Sequence, residues 1–221
     1  MATKLVSSLI TSIRNRGEIR SAYISDTEML GYINALYSSL YDEVVHANND
    51  YFVSSQEYTL NASSTYTLPT DFLKCIAAVY HKSSNDRYAL KMVPARERYQ
   101  RENTSSTTLC GYTNLTYDIR GSNLYIYPTT ATGTLTLEYI PQITLPDEVT
   151  DSISLDNNDW FEYIIWGVIA ICRHKEAMDT TVAIGLKEQA LQRIIGHITR
   201  DSGTPVTVSN VYRNYYHNDL Y

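Results

Sequence analysis

With 18 basic and 24 acidic residues, this 221-residue chain carries a net charge of −6, which speaks against a general nucleic-acid binder, whose affinity rests on neutralising phosphates. Its length is enough to bury a sizeable core and predicts one domain with elaborations rather than two. Three cysteines (Cys75, Cys110, Cys172) without a CxxC spacing argue against a disulfide framework or a zinc site. No signal-peptide pattern and no bilayer-length apolar run stand in the sequence, so folding in a reducing cytoplasm is expected.

In chain order, Thr3 is placed to cap a first helix, 3–15, with Leu5, Val6, Leu9, Ile10 and Ile13 on one stripe. Ser25-Asp26-Thr27-Glu28 reads as a capping box, with Ile24 and Met29 at its staple positions. It starts a second helix, 26–47, that carries Leu30, Ile33, Tyr37, Leu40, Tyr41 and Val44 at helical spacing.

The period then changes, which predicts a β insertion over about residues 51–141. Gln56 to Leu60 and Thr65 to Leu68 suggest a hairpin, and Phe72 to His81 and Tyr88 to Val93 suggest further strands. Pro94 suits the first position of a short charged helix, Ala95 to Glu102, ahead of a Ser/Thr-rich loop. Leu115 to Arg120, Leu124 to Tyr127 and Leu135 to Tyr139 complete the strands.

Residues 156–200 carry the strongest signal. Asp156-Asn157-Asn158-Asp159 suits a helix start. The run Trp160 to Cys172 is apolar on nearly every face, as in a helix buried on most sides. Arg173-His174-Lys175 closes it with cations that suit a helix C-terminus. A helical hairpin is therefore expected, 157–178 and 181–200, whose second arm is striped by Val182, Leu186, Ala190, Ile194 and Ile198. The whole layout is α+β: about four main helices, an inserted antiparallel β region, one domain over 1–203 and an extended tail over 204–221.

Tyrosine is the odd statistic, at 20 against three Phe and two Trp. An apolar ring with a polar tip suits surfaces that become buried against a partner, and β propensity explains much of the rest. In the tail, Thr204 to Ser209 is strand-prone without a sequence-adjacent partner, and four tyrosines follow between Tyr212 and Tyr221. Such a tail suits docking on another chain, by adding a strand to it.

Chemistry is sparse. No Gly-rich phosphate loop, HExxH or GxSxG pattern occurs. His46, His81, His174, His197 and His217 lack ligand-spaced neighbours, so neither metal nor cofactor is expected. Asp159 and Glu162 stand three apart, yet acids at a helix N-terminus serve the dipole more often than catalysis. Trp160 and Trp166 could stack on a sugar, but their apolar helix favours core packing. Lys91, Arg96, Arg98 and Arg101 form a small basic patch, diluted by Glu97 and Glu102, that suits a subunit interface or contact with phosphates.

Several segments, read in order, resemble the head-to-tail adaptor (connector, head-completion) proteins of tailed bacteriophages, the short-tailed ones especially. They begin with Ser25-Asp26-Thr27-Glu28-Met29-Leu30-Gly31-Tyr32-Ile33-Asn34 and Tyr66-Thr67-Leu68-Pro69-Thr70-Asp71-Phe72-Leu73-Lys74. Ile119-Arg120-Gly121-Ser122-Asn123-Leu124-Tyr125-Ile126-Tyr127-Pro128 and Leu137-Glu138-Tyr139-Ile140-Pro141 follow, then Glu162-Tyr163-Ile164-Ile165-Trp166-Gly167 through Lys175-Glu176. Order and spacing match across roughly residues 5 to 200.

The resemblance implies a helical core with an inserted β region, assembled as a ring of typically twelve copies. That ring sits beneath the portal in the virion neck, extends the DNA channel, helps retain the genome and presents the surface for the tail nozzle or tube. DNA passes without sequence-specific binding, no membrane is involved, and synthesis takes place in the bacterial cytoplasm. Portal contact by the C-terminal segment would fall to Val206, Val208, Val211, Tyr212, Tyr215 and Tyr216. The family has no fixed catalytic motif. Two other classes stay open: a more distal tail-tube or glycan-binding virion component, and a cell-wall-degrading virion enzyme using Glu162 or Asp159.

Overall fold

The computed structural model describes residues 2–20, 23–63, 65–82, 86–98 and 115–201. Among them the chain is α+β, with helices before and after two packed sheets. Helix α1 spans Val6–Gly17, α2 Asp26–Ala47, α3 Asn158–Lys175 and α4 Thr181–Asp201.

Helix α3 lies at the centre of the helical layer because its sequence is apolar on nearly every face. Phe161, Ile164, Val168, Ile169 and Cys172 are fully buried, a burial worth about 1.5–3 kcal/mol for each large aliphatic or aromatic side chain. Asn157 caps it by accepting from the Asp159 amide at 2.9 Å, and Arg173, His174 and Lys175 occupy the last turn. At Gly167 the α2 helix approaches closely: a Cβ there would stand 2.6 Å from Leu36 Cδ1.

The first helix starts later than its stripe suggests. Ala2–Leu5 is a strand, β1, paired antiparallel with β10 (Ser152–Leu155). Thr3 therefore caps nothing; its hydroxyl meets that of Ser154 at 2.9 Å on the outer face of the ribbon. The Asp151 and Val149 carbonyls accept from the Val6 and Ser7 amides at 2.9 and 3.0 Å, so α1 begins without a side-chain cap. Leu5 points out instead of joining the core.

The start of α2 makes half of its expected capping box. Ser25 Oγ accepts from the Glu28 amide at 3.2 Å. The Glu28 side chain turns away from the cap and accepts from Lys175 Nζ and from the Tyr32 hydroxyl, each at 2.5 Å, tying α2 to the end of α3. In α4, Ala183, Ala190, Ile194 and Ile198 are buried, whereas Val182 is exposed. The stripe was read one residue early in the first turn.

Between α2 and α3 lies a β-sandwich. One sheet has the order β2-β9-β4-β5, from Ser54–Asn61, Thr132–Pro141, Phe72–His81 and Arg87–Ala89. The other has the order β3-β8-β7-β6, from Thr65–Thr67, Asn123–Tyr127, Thr116–Arg120 and Lys91–Met92. All pairs are antiparallel except β6 with β7. The expected hairpin of β2 with β3 does not form: β2 pairs with β9 and β3 with β8, because the chain crosses between sheets at the corner after Asn61. It crosses again near Leu90, which splits the strand read from Tyr88 to Val93; Leu90 donates to Ala78 O and Val93 to Tyr117 O, each at 2.8 Å. The charged segment after Pro94 is a 3-10 turn over Ala95–Glu97, followed by Arg98; residues 99–102 of the helix expected to Glu102, and the loop after it, lie outside the described residues.

Leu60, Ala78, Tyr80, Leu124, Ile126, Leu135 and Leu137 fill the space between the sheets. This core is separate from the helical one. Aromatic rings join the two layers: Tyr41 stacks on Phe52 at 4.5 Å and Tyr51 on Trp160 at 5.8 Å between centroids. The Tyr41 hydroxyl donates to the Pro141 carbonyl at the end of β9.

Two outcomes follow for stability. Gly133 has φ +130°, and a Cβ there would stand 2.9 Å from Tyr80 Cε2 and 3.1 Å from the His81 carbonyl. Gly133→Ala is expected to cost about 1–3 kcal/mol, read from urea unfolding of both variants. The Glu28 carboxyl is held below its ordinary 4.5 by the bond from Lys175 first and Tyr32 second. A lowered carboxyl stabilises the fold above its unfolded pKa, and that contribution disappears as pH falls through the folded value. Glu28→Gln should therefore flatten the stability profile below pH 4.5, by a small amount because the pair is solvated. Unfolding midpoints across that acid range check it.

Candidate functional site

The most confined polar arrangement lies in the sandwich. Strand β7 alternates Tyr117, Asp118, Ile119 and Arg120, and Asp118 is fully buried. Two arginines hold it. Arg98 Nη2 donates to Oδ1 at 3.0 Å with its Nε 2.8 Å from Oδ2, and Arg120 Nε donates to Oδ2 at 2.6 Å. Arg120 also donates to the Tyr127 hydroxyl at 2.7 Å and lies over the Tyr125 ring at 4.6 Å. The pair of cations compensates the desolvated carboxylate, and the geometry locks the 3-10 turn after β6 onto β7.

This network redraws the basic patch. Arg98 is engaged internally with Asp118 rather than offered at the surface, while Lys91 and Arg96 remain exposed. Arg101, together with the tail positions Val206, Val208, Val211, Tyr212, Tyr215 and Tyr216, lies outside the described residues. Sequence reasoning missed Asp118 and Arg120. The available signal was an acid in the middle of a strand, between Tyr117 and Ile119.

The carboxylates considered for acid–base chemistry are tied to separate partners. Glu162 accepts from Arg16 Nη1 at 2.7 and 2.8 Å and from Trp166 Nε1 at 3.0 Å; Asp159 accepts from Arg193 at 3.2 Å. Trp160 is buried against Tyr51 and Phe52, which leaves no face for a sugar. The Cys172 thiol is pushed up to about 11, by burial first and then by Glu176 and Glu28, so it is not a thiolate nucleophile. Burial likewise raises Cys75. Among the described residues no three His, Cys, Asp or Glu side chains gather as a metal site, and no helix is long and apolar enough to cross a membrane.

What the arrangement offers is surface for docking. At the α3–α4 turn a groove of about 610 Å³ is lined by Glu18, Arg20, Tyr23, Lys175, Glu176 and Met178. Tyr23, Met178 and nearby Val182 are exposed, at 64, 47 and 63%. A second groove of about 390 Å³ lies where the two layers meet, between Tyr51, Phe52 and Trp160, the Gln142–Thr144 segment and the end of β10.

A family model, the SU10 adaptor protein, matches residues 5–211. No curated protein matches the chain.

The Asp118 network predicts an ordering of stabilities. Arg98→Ala with Arg120→Ala strands a buried charge and should cost about 3–5 kcal/mol. Asp118→Ala leaves two arginines whose side chains are 30 and 32% exposed. They turn to water, so the loss should be smaller, about 1–3 kcal/mol. Chemical denaturation of the variants measures both.

Proposed function

Because the chain belongs to the SU10 adaptor protein family, a family of phage structural proteins, we propose that it works as a head-to-tail adaptor. In this reading it forms a ring beneath the portal, of twelve copies by family likeness, and continues the DNA channel into the neck of the virion. It helps retain packaged DNA and presents the face on which tail nozzle or tube proteins assemble. The match across residues 5–211 is the single observation that carries this reading.

Physical features support it. A net charge of −6 suits a channel wall along which DNA slides, since an acidic wall repels phosphates rather than gripping them. Tyr23, Met178 and Val182 supply an exposed apolar surface that a neighbouring copy in a ring would cover. Lys91 and Arg96 are free to serve the same interface or to face phosphates. The tied carboxylates suit a structural role better than a glycan-cleaving one. Many weak contacts around a ring add up through avidity, so no single contact need be strong.

The C-terminal tail is the portal-docking element in this proposal, through Val206, Val208, Val211, Tyr212, Tyr215 and Tyr216. Mixing the protein with its portal ring, with mass photometry for stoichiometry and cryo-electron microscopy for position, is expected to show a second ring stacked on the first. Replacing Tyr212, Tyr215 and Tyr216 by Ala should weaken that binding on the order of tenfold or more, as loss of aromatic anchors does. Unchanged binding by the triple variant would remove the tail from the interface. Self-assembly into tubes without any portal binding would overturn the adaptor reading itself.

A further inference from the structure

The ribbon of β1 and β10 has an open edge beside the aromatic groove. Val6 donates to the Asp151 carbonyl at 2.9 Å, which sets the phase of the ladder: Ile153 and Leu155 direct their backbone groups at β1, opposite Lys4 and Ala2. Ser152 and Ser154 then direct theirs away from β1. Among the described residues no backbone group pairs with that outer edge. The groove lined by Ser154, Leu155, Asp156, Trp160, Tyr51 and Phe52 meets the C-terminal end of β10, and none of its described lining comes from β1.

We propose that the strand-prone segment Val206–Ser209 of the chain's own tail adds to the outer edge of β10 and seats its valines in this groove before assembly.

Three observations favour this occupant. First, the alternation fits. Ser152 and Ser154 face out while Ile153 and Leu155 face the core, and Thr3 shares the outer face. A strand Val206-Thr207-Val208-Ser209 places Val206 and Val208 on the core side and its hydroxyls on the outer side. Second, the reach fits. Arg193 touches Asp159 at the start of α3, and Asp201 lies eight residues on, about 12 Å further along the helix. The connector Ser202-Gly203-Thr204-Pro205 has Gly and Pro suited to reversing the chain and spans at most about 13 Å, comparable with the roughly 12 Å by which the helix overshoots Asp159. Third, an unpaired edge next to an apolar cleft is the usual acceptor for an added strand, with main-chain bonds for affinity and a pocket for alternate side chains.

The segment that follows, with Tyr212, Tyr215 and Tyr216, stays available to a partner. Capture of the tail by another protein would then exchange one strand partner for another, and the chain would present a covered edge until that moment. The proposal concerns the isolated chain and does not depend on portal binding.

Amide hydrogen exchange on the full-length protein tests it, at the Ser152 and Ser154 amides. They should exchange about tenfold or more slowly in the native chain than in a Val206→Asp, Val208→Asp variant, whose charges cannot enter the groove. A Val206→Ile, Val208→Ile variant should keep the protection. Equal exchange in the native and aspartate chains would overturn the proposal. Protection that fades on dilution would overturn it too, since the strand would then come from a second copy. Because the measurement is made on the isolated protein, its outcome holds whatever a portal-binding assay returns.

Discussion

Helix α3 is apolar on nearly every face, and the arrangement of the helical layer follows from covering it. Alpha-helices usually present one apolar stripe to a core; here α1 and α2, α4 and the β1–β10 ribbon each take one side. Where α2 crosses, Gly167 removes the Cβ that would collide with Leu36, so the backbones approach more closely than a larger residue permits. At the rim, long cationic side chains finish the cover: Lys4 lies over the Phe161 ring at 4.4 Å and Lys187 over Tyr163 at 5.1 Å, their stems shielding ring faces while the charged ends remain wet.

That constraint also explains how a β-sandwich is inserted between α2 and α3 without disturbing them. The sandwich has its own core, from Leu60 to Leu137, and does not borrow side chains from the helical layer. The two units meet at a narrow seam of rings, Tyr41, Tyr51, Phe52 and Trp160, each of which presents an apolar face and, for the tyrosines, a bonded hydroxyl.

The helical layer was largely legible because helical periodicity and caps are local properties. The span of α2, 26–47, could be read from Ser25 and the stripe behind it, and the buried arm of the hairpin from composition alone. The β1 strand was not legible. Ala2–Leu5 has a residue pattern as compatible with a first helical turn as with a strand, and only the distant Ser152–Leu155 decides between them. For the same reason β2 and β3 looked like a hairpin: sequence proximity suggests pairing, while the sandwich corner sends them to different sheets. Asp118 was harder to read because Arg98 lies 20 residues away, and its apolar neighbours Tyr117 and Ile119 are only a weak local mark of burial. Arg98, read as part of a basic patch, makes that same non-local contact while its side chain stays 30% exposed.

The charged residues then separate into two populations with different consequences. Asp118, Glu28, Asp159 and Glu162 each bind an arginine or lysine from another segment: β7 to the turn after β6, α2 to α3, α3 to α4, and α1 to α3. Pairs of this kind add little stability at the surface, but they fix which face of one element meets the next. Held in this way, Glu162 and Asp159 position α3 against α1 and α4. Among the described residues, Tyr23, Met178 and Val182 stay exposed near the hairpin tip, and the outer edge of β10 has no backbone partner. In a protein of the SU10 adaptor family, exposed apolar surface of this kind suits contact with another chain.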